Sequence, residues 1–155
     1  CESMSSIFEG RNASRVAKEF SERVWLSWTN RGHQPDQLPS TEALSKAVDF
    51  SIEADVECTL INCSHADMAS NSIKELKRAP RFGIFANSSK FKEVDLSVAT
   101  KDVDAIHHLN SEEISAKEYA MIALSWAKEG AFVVGGCCGT TVEHTREIKL
   151  LMDSL

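Results

Sequence analysis

The 155-residue sequence contains no uninterrupted apolar run close to the roughly 20 residues that a bilayer-spanning helix needs. Its first residues lack the basic stretch and apolar run that are typical of a signal peptide. Basic residues are outnumbered, with 17 lysines and arginines against 23 aspartates and glutamates, and no basic stripe is present. The net charge of −6 therefore argues against a surface that binds nucleic acid or anionic membranes.

Cysteine is present in an odd number, five, and two of the five are adjacent. Without a secretory signal, this pattern favours reduced thiols over a disulfide framework. The apolar fraction of 43% and the charged fraction of 26% fit an ordinary globular protein. We therefore expect a cytoplasmic protein that binds neither nucleic acid nor a membrane.

Helical and strand-like segments alternate along the chain. Helices are predicted at 6–21, 40–54, 66–78, 111–128 and from 140 or 141 onward; strands are predicted at 23–29, 57–62, 81–86 and 131–134. Residues 87–110 are expected to form a long polar connection. The alternation predicts an α/β protein with parallel strands and helical crossovers, but it does not separate an open sheet from a barrel.

Residues 132–141, FVVGGCCGTT, combine an apolar run, three glycines and the adjacent pair Cys137 and Cys138. Adjacent residues on a regular strand point to opposite faces, so both thiols can converge only where the strand has stopped. Gly135, Gly136 and Gly139 are expected to adopt the unusual φ values that this requires. A third ligand is expected from another strand end, and Cys63 in LINCS is the clear candidate.

Three cysteine ligands would leave one tetrahedral position on Zn²⁺, which is the arrangement of a catalytic site. A zinc ion there would hold a substrate thiol as the nucleophilic thiolate at neutral pH. A strained vicinal disulfide or two packed thiols are the alternatives for Cys137 and Cys138. Cys63 could instead be a small buried hydrophobic residue, and Cys58 is expected to pack against the helices. Ser27, at the end of its strand, is a candidate to face the pocket.

Five histidines are also present, and four of them could be considered as metal ligands. His107 and His108 lie on the polar connection and are expected to be solvated. His65 is expected to start a helix, and His144 to make polar contacts on the last helix.

The Asn-Cys pair at 62–63 followed by GGCCGTT at 135–141 resembles the zinc-dependent homocysteine S-methyltransferase family. Glu2-Ser3, Trp25-Leu26-Ser27 and Phe85-Ala86-Asn87-Ser88 add weaker agreement, in the order of that family. The resemblance implies a (β/α)8 TIM-type barrel, of which residues 1–155 would be the C-terminal half. That half would run from the end of strand 4 to helix 8, with the N-terminal half missing.

The resemblance also implies what the protein acts on. The substrates would be homocysteine and a small-molecule methyl donor, with S-methylmethionine or S-adenosylmethionine favoured, and the product would be methionine. Zn²⁺ would be held by Cys63, Cys137 and Cys138. Glu2 matches an acidic residue near the homocysteine amino group, and Asn87 matches a residue that can fill the fourth zinc position. As the full-length parent the protein would be an enzyme, whereas this segment alone is expected to be inactive.

Two other functions remain open at this point. One is a non-catalytic zinc-binding half-barrel that pairs with a missing half or self-associates through its exposed edges. The other is a redox protein that uses the vicinal dithiol without a metal.

Overall fold

The structure is a computed structural model that describes residues 1–32, 34–91 and 111–154. Its helices are α1 (Ile7–Lys18), α2 (Leu44–Glu53), α3 (Ala66–Asn71), α4 (Ile73–Leu76), α5 (Ala116–Lys128) and α6 (Val142–Met152). Its strands are β1 (Trp25–Trp28), β2 (Cys58–His65), β3 (Phe82–Asn87), β4 (Ser89–Phe91), β5 (Ser111–Glu113) and β6 (Val133–Gly136). The predicted residues His107 and His108 lie outside the described residues.

A parallel sheet with the strand order β1-β2-β3-β6 organises the chain, and β4 and β5 form a separate antiparallel pair. This confirms the predicted α/β class with alternating parallel strands and helical crossovers. Because the strands are parallel, their carboxyl ends lie along one edge of the sheet. Residues that follow the strands are therefore brought together even where they are distant in sequence.

The first residues run alongside β1. The Ser27 backbone N–H donates to the Cys1 carbonyl at 2.9 Å, and the Met4 N–H donates to the Ser27 carbonyl at 2.9 Å. Met4 also forms a parallel bridge with Trp28. Residues 1–4 therefore lie where the sequence predicts the tail of a preceding strand.

The helices cover one face of the sheet. Leu26 and Trp28 from β1 are fully buried in the core that the helices close, whereas Trp25 and Ser27 point to the opposite face. Burial of one such side chain contributes about 1.5–3 kcal/mol. Gly10 of α1 allows close contact with the Trp28 ring, because a Cβ at this position would overlap that ring.

Two predicted helices differ from the structure. The predicted helix 66–78 is divided at Ser72, whose hydroxyl donates to the Pro35 carbonyl at 2.8 Å and ties the break to the loop after β1. Residues 111–113 were predicted to open a helix, but they form β5, which pairs with β4. The helix begins at Ala116 instead, because Ser115 supplies the N-cap by accepting from the Glu118 N–H.

Among the described residues, no helix combines the length and the apolar character needed to cross a bilayer.

Candidate metal centre and its cavity

The sulfurs of Cys63, Cys137 and Cys138 lie within 4.8 Å of one another. The Sγ–Sγ distance is 2.6 Å between Cys63 and Cys137, and 4.0 Å from Cys138 to each of the other two. All five cysteines are free thiols. The structure thus brings together the three cysteines that the sequence analysis selected as metal ligands.

Cys63 lies inside β2, at an irregularity in the strand. The pairing of β2 with β3 shifts register between Asn62 and His65, and Cys63 has a φ of +49°. A positive φ is uncommon for a residue other than glycine and is typical of functional sites, where the surrounding structure holds the strain. The predicted end of the strand at Asn62 was therefore wrong, because β2 continues to His65 through a bulge that re-aims the Cys63 side chain.

The side chain of Asn62, the residue before Cys63, makes hydrogen bonds that stabilise this bulge. Asn62 is 2% exposed, and its Oδ1 accepts from the Ser3 N–H at 3.0 Å and from the Ser27 hydroxyl at 2.5 Å. Its Nδ2 donates to the Ser3 hydroxyl at 2.8 Å. The amide therefore joins the segment before α1, β1 and β2 directly beneath Cys63.

Cys137 and Cys138 lie in the turn that follows β6. The Cys137 N–H donates to the Ala86 carbonyl at 2.8 Å, while the Cys138 N–H donates to Asn87 Oδ1 at 3.1 Å. The Cys138 carbonyl accepts from the Ser88 N–H at 3.0 Å. The end of β3 therefore fixes both cysteines through backbone contacts, which leaves their sulfurs free to face Cys63.

Tyr119 of α5 lies under the same turn. Its hydroxyl is 2.7 Å from the Ala86 carbonyl and 2.8 Å from the Gly135 carbonyl, so it lies between β3 and β6 just before the cysteines. Burial raises the pKa of this hydroxyl, which keeps it protonated and able to donate. Tyr119 thus supports the turn from the helical side of the sheet.

The glycines of the motif act differently from the prediction. Only Gly139 of the three has a positive φ, at +76°; Gly135 and Gly136 are ordinary residues of β6. A Cβ at Gly135 would lie 2.8 Å from the Phe85 ring, and one at Gly136 would overlap Thr140. These two glycines are therefore required for close packing, because their neighbours occupy the space of a side chain.

Burial, followed by the hydrogen bond with Cys137, raises the pKa of the Cys63 thiol to about 12. A hydrogen bond with Ser3 acts in the opposite direction. The Cys63 thiol is therefore protonated at neutral pH in the absence of a metal ion. Metal binding at this residue must accordingly release a proton.

The donor set suits a thiophilic divalent ion. Tetrahedral Zn²⁺ with sulfur ligands at about 2.3 Å requires S–S distances of about 3.8 Å. Two of the three pairs are close to that value, and the Cys63–Cys137 pair would have to open by roughly 1.2 Å. Cys63 and Cys137 are half-buried and Cys138 is exposed, so an ion would be held at the wall of an accessible space.

That space is a cavity of about 740 Å³, within the range of about 300–1,000 Å³ that is usual for small-molecule sites. Cys63, Cys138, Asn87 and Ser88 line one part of it. The remaining lining residues are Thr29, Asn30, Arg31, Gly32, Pro39, Ser64, His65, Ser89, Glu113 and Gly139. The cavity thus extends from the sulfurs to the loop after β1 and to the end of β5.

The residues predicted to bind substrate occupy different places. Asn87 lines the cavity, although its Oδ1 is engaged by the Cys138 N–H. Ser27 is 2% exposed and donates to Asn62, so it lies beneath the cysteines and supports Asn62. Glu2 is exposed beside Ser3. Neither Ser27 nor Glu2 is among the described residues that line the cavity.

The sequence analysis also gave expectations for His144 and His65. His144 Nδ1 accepts from the Thr141 N–H at 3.1 Å and caps α6, as expected of a polar contact on that helix. His65 lies within 2.9 Å of the Ser89 hydroxyl and lines the cavity.

Cys58 is fully buried. As the register partner of Trp25, it lies on the face of the sheet opposite the helices. The expectation that it packs against the helices was therefore wrong.

Sequence reasoning missed Asn62, Ser3 and Tyr119 as supports of the site, and Arg31 and Glu113 as lining residues. Asn62 precedes Cys63 in the motif, which was a usable signal. Tyr119 gave no such signal in the sequence, because its role depends on the carbonyls of Ala86 and Gly135, which are 33 and 16 residues away.

Comparisons with known proteins agree with this geometry. The sequence model of the homocysteine S-methyltransferase family matches residues 1–152. The curated homocysteine S-methyltransferase YbgG of Bacillus subtilis (strain 168) is 26% identical over 158 residues, which cover 100% of this chain and 46% of YbgG. The chain therefore spans about half the length of the curated relative that it matches.

Solved structures of the homocysteine methyltransferase MmuM from Escherichia coli share the fold. The metallated form gives a TM-score of 0.69 at 18% identity, covering 97% of this chain and 43% of that one. The apo form gives 0.67 at 19% identity, covering 97% of this chain and 48% of that one. The oxidized form gives 0.67 at 16% identity, with 100% and 44% covered. The fold is accordingly that of about half of such a methyltransferase.

Proposed function

Because the chain belongs to the homocysteine S-methyltransferase family, we propose that it is part of an enzyme that transfers a methyl group to the thiol of L-homocysteine and releases methionine. Residues 1–155 would supply the C-terminal half of the homocysteine-binding barrel domain. The observation that carries the proposal is the convergence of three free thiols, two of which, Cys63 and Cys138, line a cavity of about 740 Å³.

The metal in this proposal is zinc, with Cys63, Cys137 and Cys138 as the ligands. Zinc held there would supply a Lewis acid that keeps a substrate thiol deprotonated at neutral pH, with one coordination position open to it. The three-sulfur donor set and the two S–S distances of 4.0 Å support this choice. The metallated form of MmuM shows that a relative with this fold binds a metal.

The surrounding residues would keep the sulfurs in place. Asn62 holds the strained backbone of Cys63, and Asn87 holds the turn at Cys138 through its N–H. Such outer partners commonly change metal affinity 10- to 100-fold when they are removed.

The charge of the site favours a cationic donor. Three cysteine thiolates around a divalent ion carry a net charge of −1, and a substrate thiolate would make it about −2. A sulfonium such as S-methylmethionine or S-adenosylmethionine brings a positive charge on the sulfur that bears the methyl group. We therefore propose a sulfonium methyl donor, because opposite charges attract strongly in a partly desolvated cavity.

Metal content and turnover test the proposal together. The reduced full-length parent should bind one zinc per chain and form methionine from homocysteine and S-methylmethionine. Cys137→Ser should lose both properties, whereas Cys1→Ser, which changes an exposed cysteine away from the cluster, should keep both. Full activity in zinc-free protein would contradict the proposal, as would unchanged zinc binding in Cys137→Ser.

A further inference from the structure

The cavity is lined by two charged side chains that the proposed metal centre does not use. Arg31 follows β1 and Glu113 ends β5, and both line the same cavity as Cys63 and Cys138. They are not within ion-pairing distance of each other. Among the described residues, the cavity thus presents one cation and one anion in addition to its sulfurs.

Arg31 differs from every other described arginine. Arg15, Arg23, Arg78, Arg81 and Arg146 form ion pairs, and Arg11 stacks over the Phe50 ring. Arg31 makes neither kind of contact with any residue that the structure describes. Its guanidinium is therefore available to a ligand in the cavity.

The backbone at Arg31 is nevertheless fixed. The Arg31 N–H donates to the Gln37 carbonyl at 2.8 Å, and the Arg31 carbonyl accepts from the Gln34 N–H at 2.8 Å. The preceding Asn30 is 6% exposed, and its N–H donates to the Ser64 hydroxyl at 3.0 Å. The loop therefore presents the arginine from a defined position beside the bulge of β2.

The backbone at Glu113 is also fixed, and hydrogen bonds connect it to the turn that carries Cys138. It pairs with Ser89 across β4 and β5, and the next residue, Ile114, donates its N–H to the Ser88 carbonyl at 3.1 Å. Ser88 in turn donates to the Cys138 carbonyl. Glu113 has no ion pair with a described residue, so its carboxylate is also available.

We propose that Arg31 and Glu113 form a subsite for the zwitterionic end of an α-amino acid, with Arg31 binding its carboxylate and Glu113 its ammonium group. Arginine suits a carboxylate because its planar fork donates two parallel hydrogen bonds. This inference rests on the proposed function, in which the methyl acceptor and the favoured donors all carry an α-amino acid group. The cavity of about 740 Å³ lies within the range that is usual for small-molecule sites.

Calorimetric binding to the zinc-loaded protein tests the subsite without requiring turnover. The probes are two matched pairs: L-homocysteine with 3-aminopropane-1-thiol, and S-methylmethionine with (3-aminopropyl)dimethylsulfonium. The second member of each pair lacks only the carboxylate. The wild type should prefer the carboxylate form of at least one pair, and Arg31→Gln should abolish that preference with a loss of roughly 10- to 100-fold.

The pair that responds identifies the occupant as the acceptor or the donor. Arg31→Lys should retain part of the preference, because lysine keeps the charge and loses the fork. Glu113→Gln should weaken the same ligand, while Glu112→Gln on the same strand and Arg15→Gln on α1 should leave binding unchanged. Melting curves that match the wild type will show that the variants are folded.

An unchanged carboxylate preference in Arg31→Gln together with an unchanged affinity in Glu113→Gln would overturn the subsite, even if the full-length parent transfers methyl groups. Carboxylate-dependent binding that requires Arg31, in a full-length parent that does not transfer methyl groups, would instead uphold the subsite and contradict the proposed function.

Discussion

Asn87 Oδ1 accepts a hydrogen bond from the Cys138 backbone N–H at 3.1 Å, so the end of β3 holds the turn that carries the third sulfur. The two residues are 51 positions apart in the chain. The asparagine side chain thus supports a proposed metal ligand, in addition to lining the cavity.

Asn87→Ala should therefore weaken zinc binding by about 10- to 100-fold, because the Cys138 N–H loses its acceptor and the turn loses its register. Competition with a chromophoric chelator will measure the affinity. Asn71→Ala, at an exposed asparagine that ends α3, is the matched control and should bind zinc as the wild type does. Equal affinity in Asn87→Ala would show that the turn holds itself without this contact.

The variants Gly139→Ala and Gly130→Ala, taken together, should distinguish an effect of backbone strain on stability from a specific effect on zinc affinity. Both glycines have positive φ, +76° and +98°, so alanine at either should cost about 1–2 kcal/mol of unfolding free energy. Only at Gly139 is there a close neighbour, since a Cβ would lie 2.6 Å from the Ser88 hydroxyl. We expect both variants to lose stability in urea titrations and only Gly139→Ala to lose zinc affinity. A similar zinc affinity in the two variants would contradict the close-contact role of Gly139.

Four of the five thiols should react with iodoacetamide in a definite order in metal-free protein at pH 8. Burial raises the pKa of Cys58 to about 11 and that of Cys63 to about 12, so both remain protonated while the thiolate is the reactive form. Exposed Cys1 and Cys138 should be alkylated first, Cys63 slowly, and Cys58 only after unfolding. Peptide mass spectrometry will give the order. Zinc should then protect Cys63 and Cys138 but leave Cys1 reactive, and early labelling of Cys58 would show that its face of the sheet is open.

Glu57 should contribute to stability at neutral pH and lose that contribution in acid. Hydrogen bonds from Arg23 and then from Trp25 lower the pKa of its carboxyl group. A lowered pKa in the folded state stabilises the fold above the pKa of the unfolded chain, and the effect is lost as the pH falls through the folded value. Glu57→Gln should therefore lower Tm near pH 7, and its Tm should converge with that of the wild type below about pH 4. The control is Glu19→Gln, because its ion pair with Arg15 is exposed and 3.8 Å long.

The parts of the fold that the sequence predicted well depend on local pattern. The alternation of apolar strands and amphipathic helices placed all four strands of the main sheet, within one to three residues at most ends. The errors arose where a distant contact outweighed local preference. Residues 111–113 carry acids typical of a first helical turn, but pairing with β4 makes them a strand, and Ser72 breaks a predicted helix by bonding to the loop after β1.

The candidate site divides in the same way. The three cysteines could be selected because each lies near the carboxyl end of an apolar strand, and residue type and position are local properties. The geometry that brings the three sulfurs together could not be predicted from the sequence. Cys63 has a φ of +49°, and the neighbouring Asn62 is bonded to Ser3, which is 59 residues from Asn62 in the chain.

The sequence by itself determined the α/β alternation and the presence of three thiols near strand ends, since both follow from spacing and residue type. Only the tertiary structure decided that these sulfurs meet, and that Arg31 and Glu113 share their cavity. The reason is physical: hydrogen bonds and burial act between atoms that are close in space, and spacing along the chain does not encode those distances.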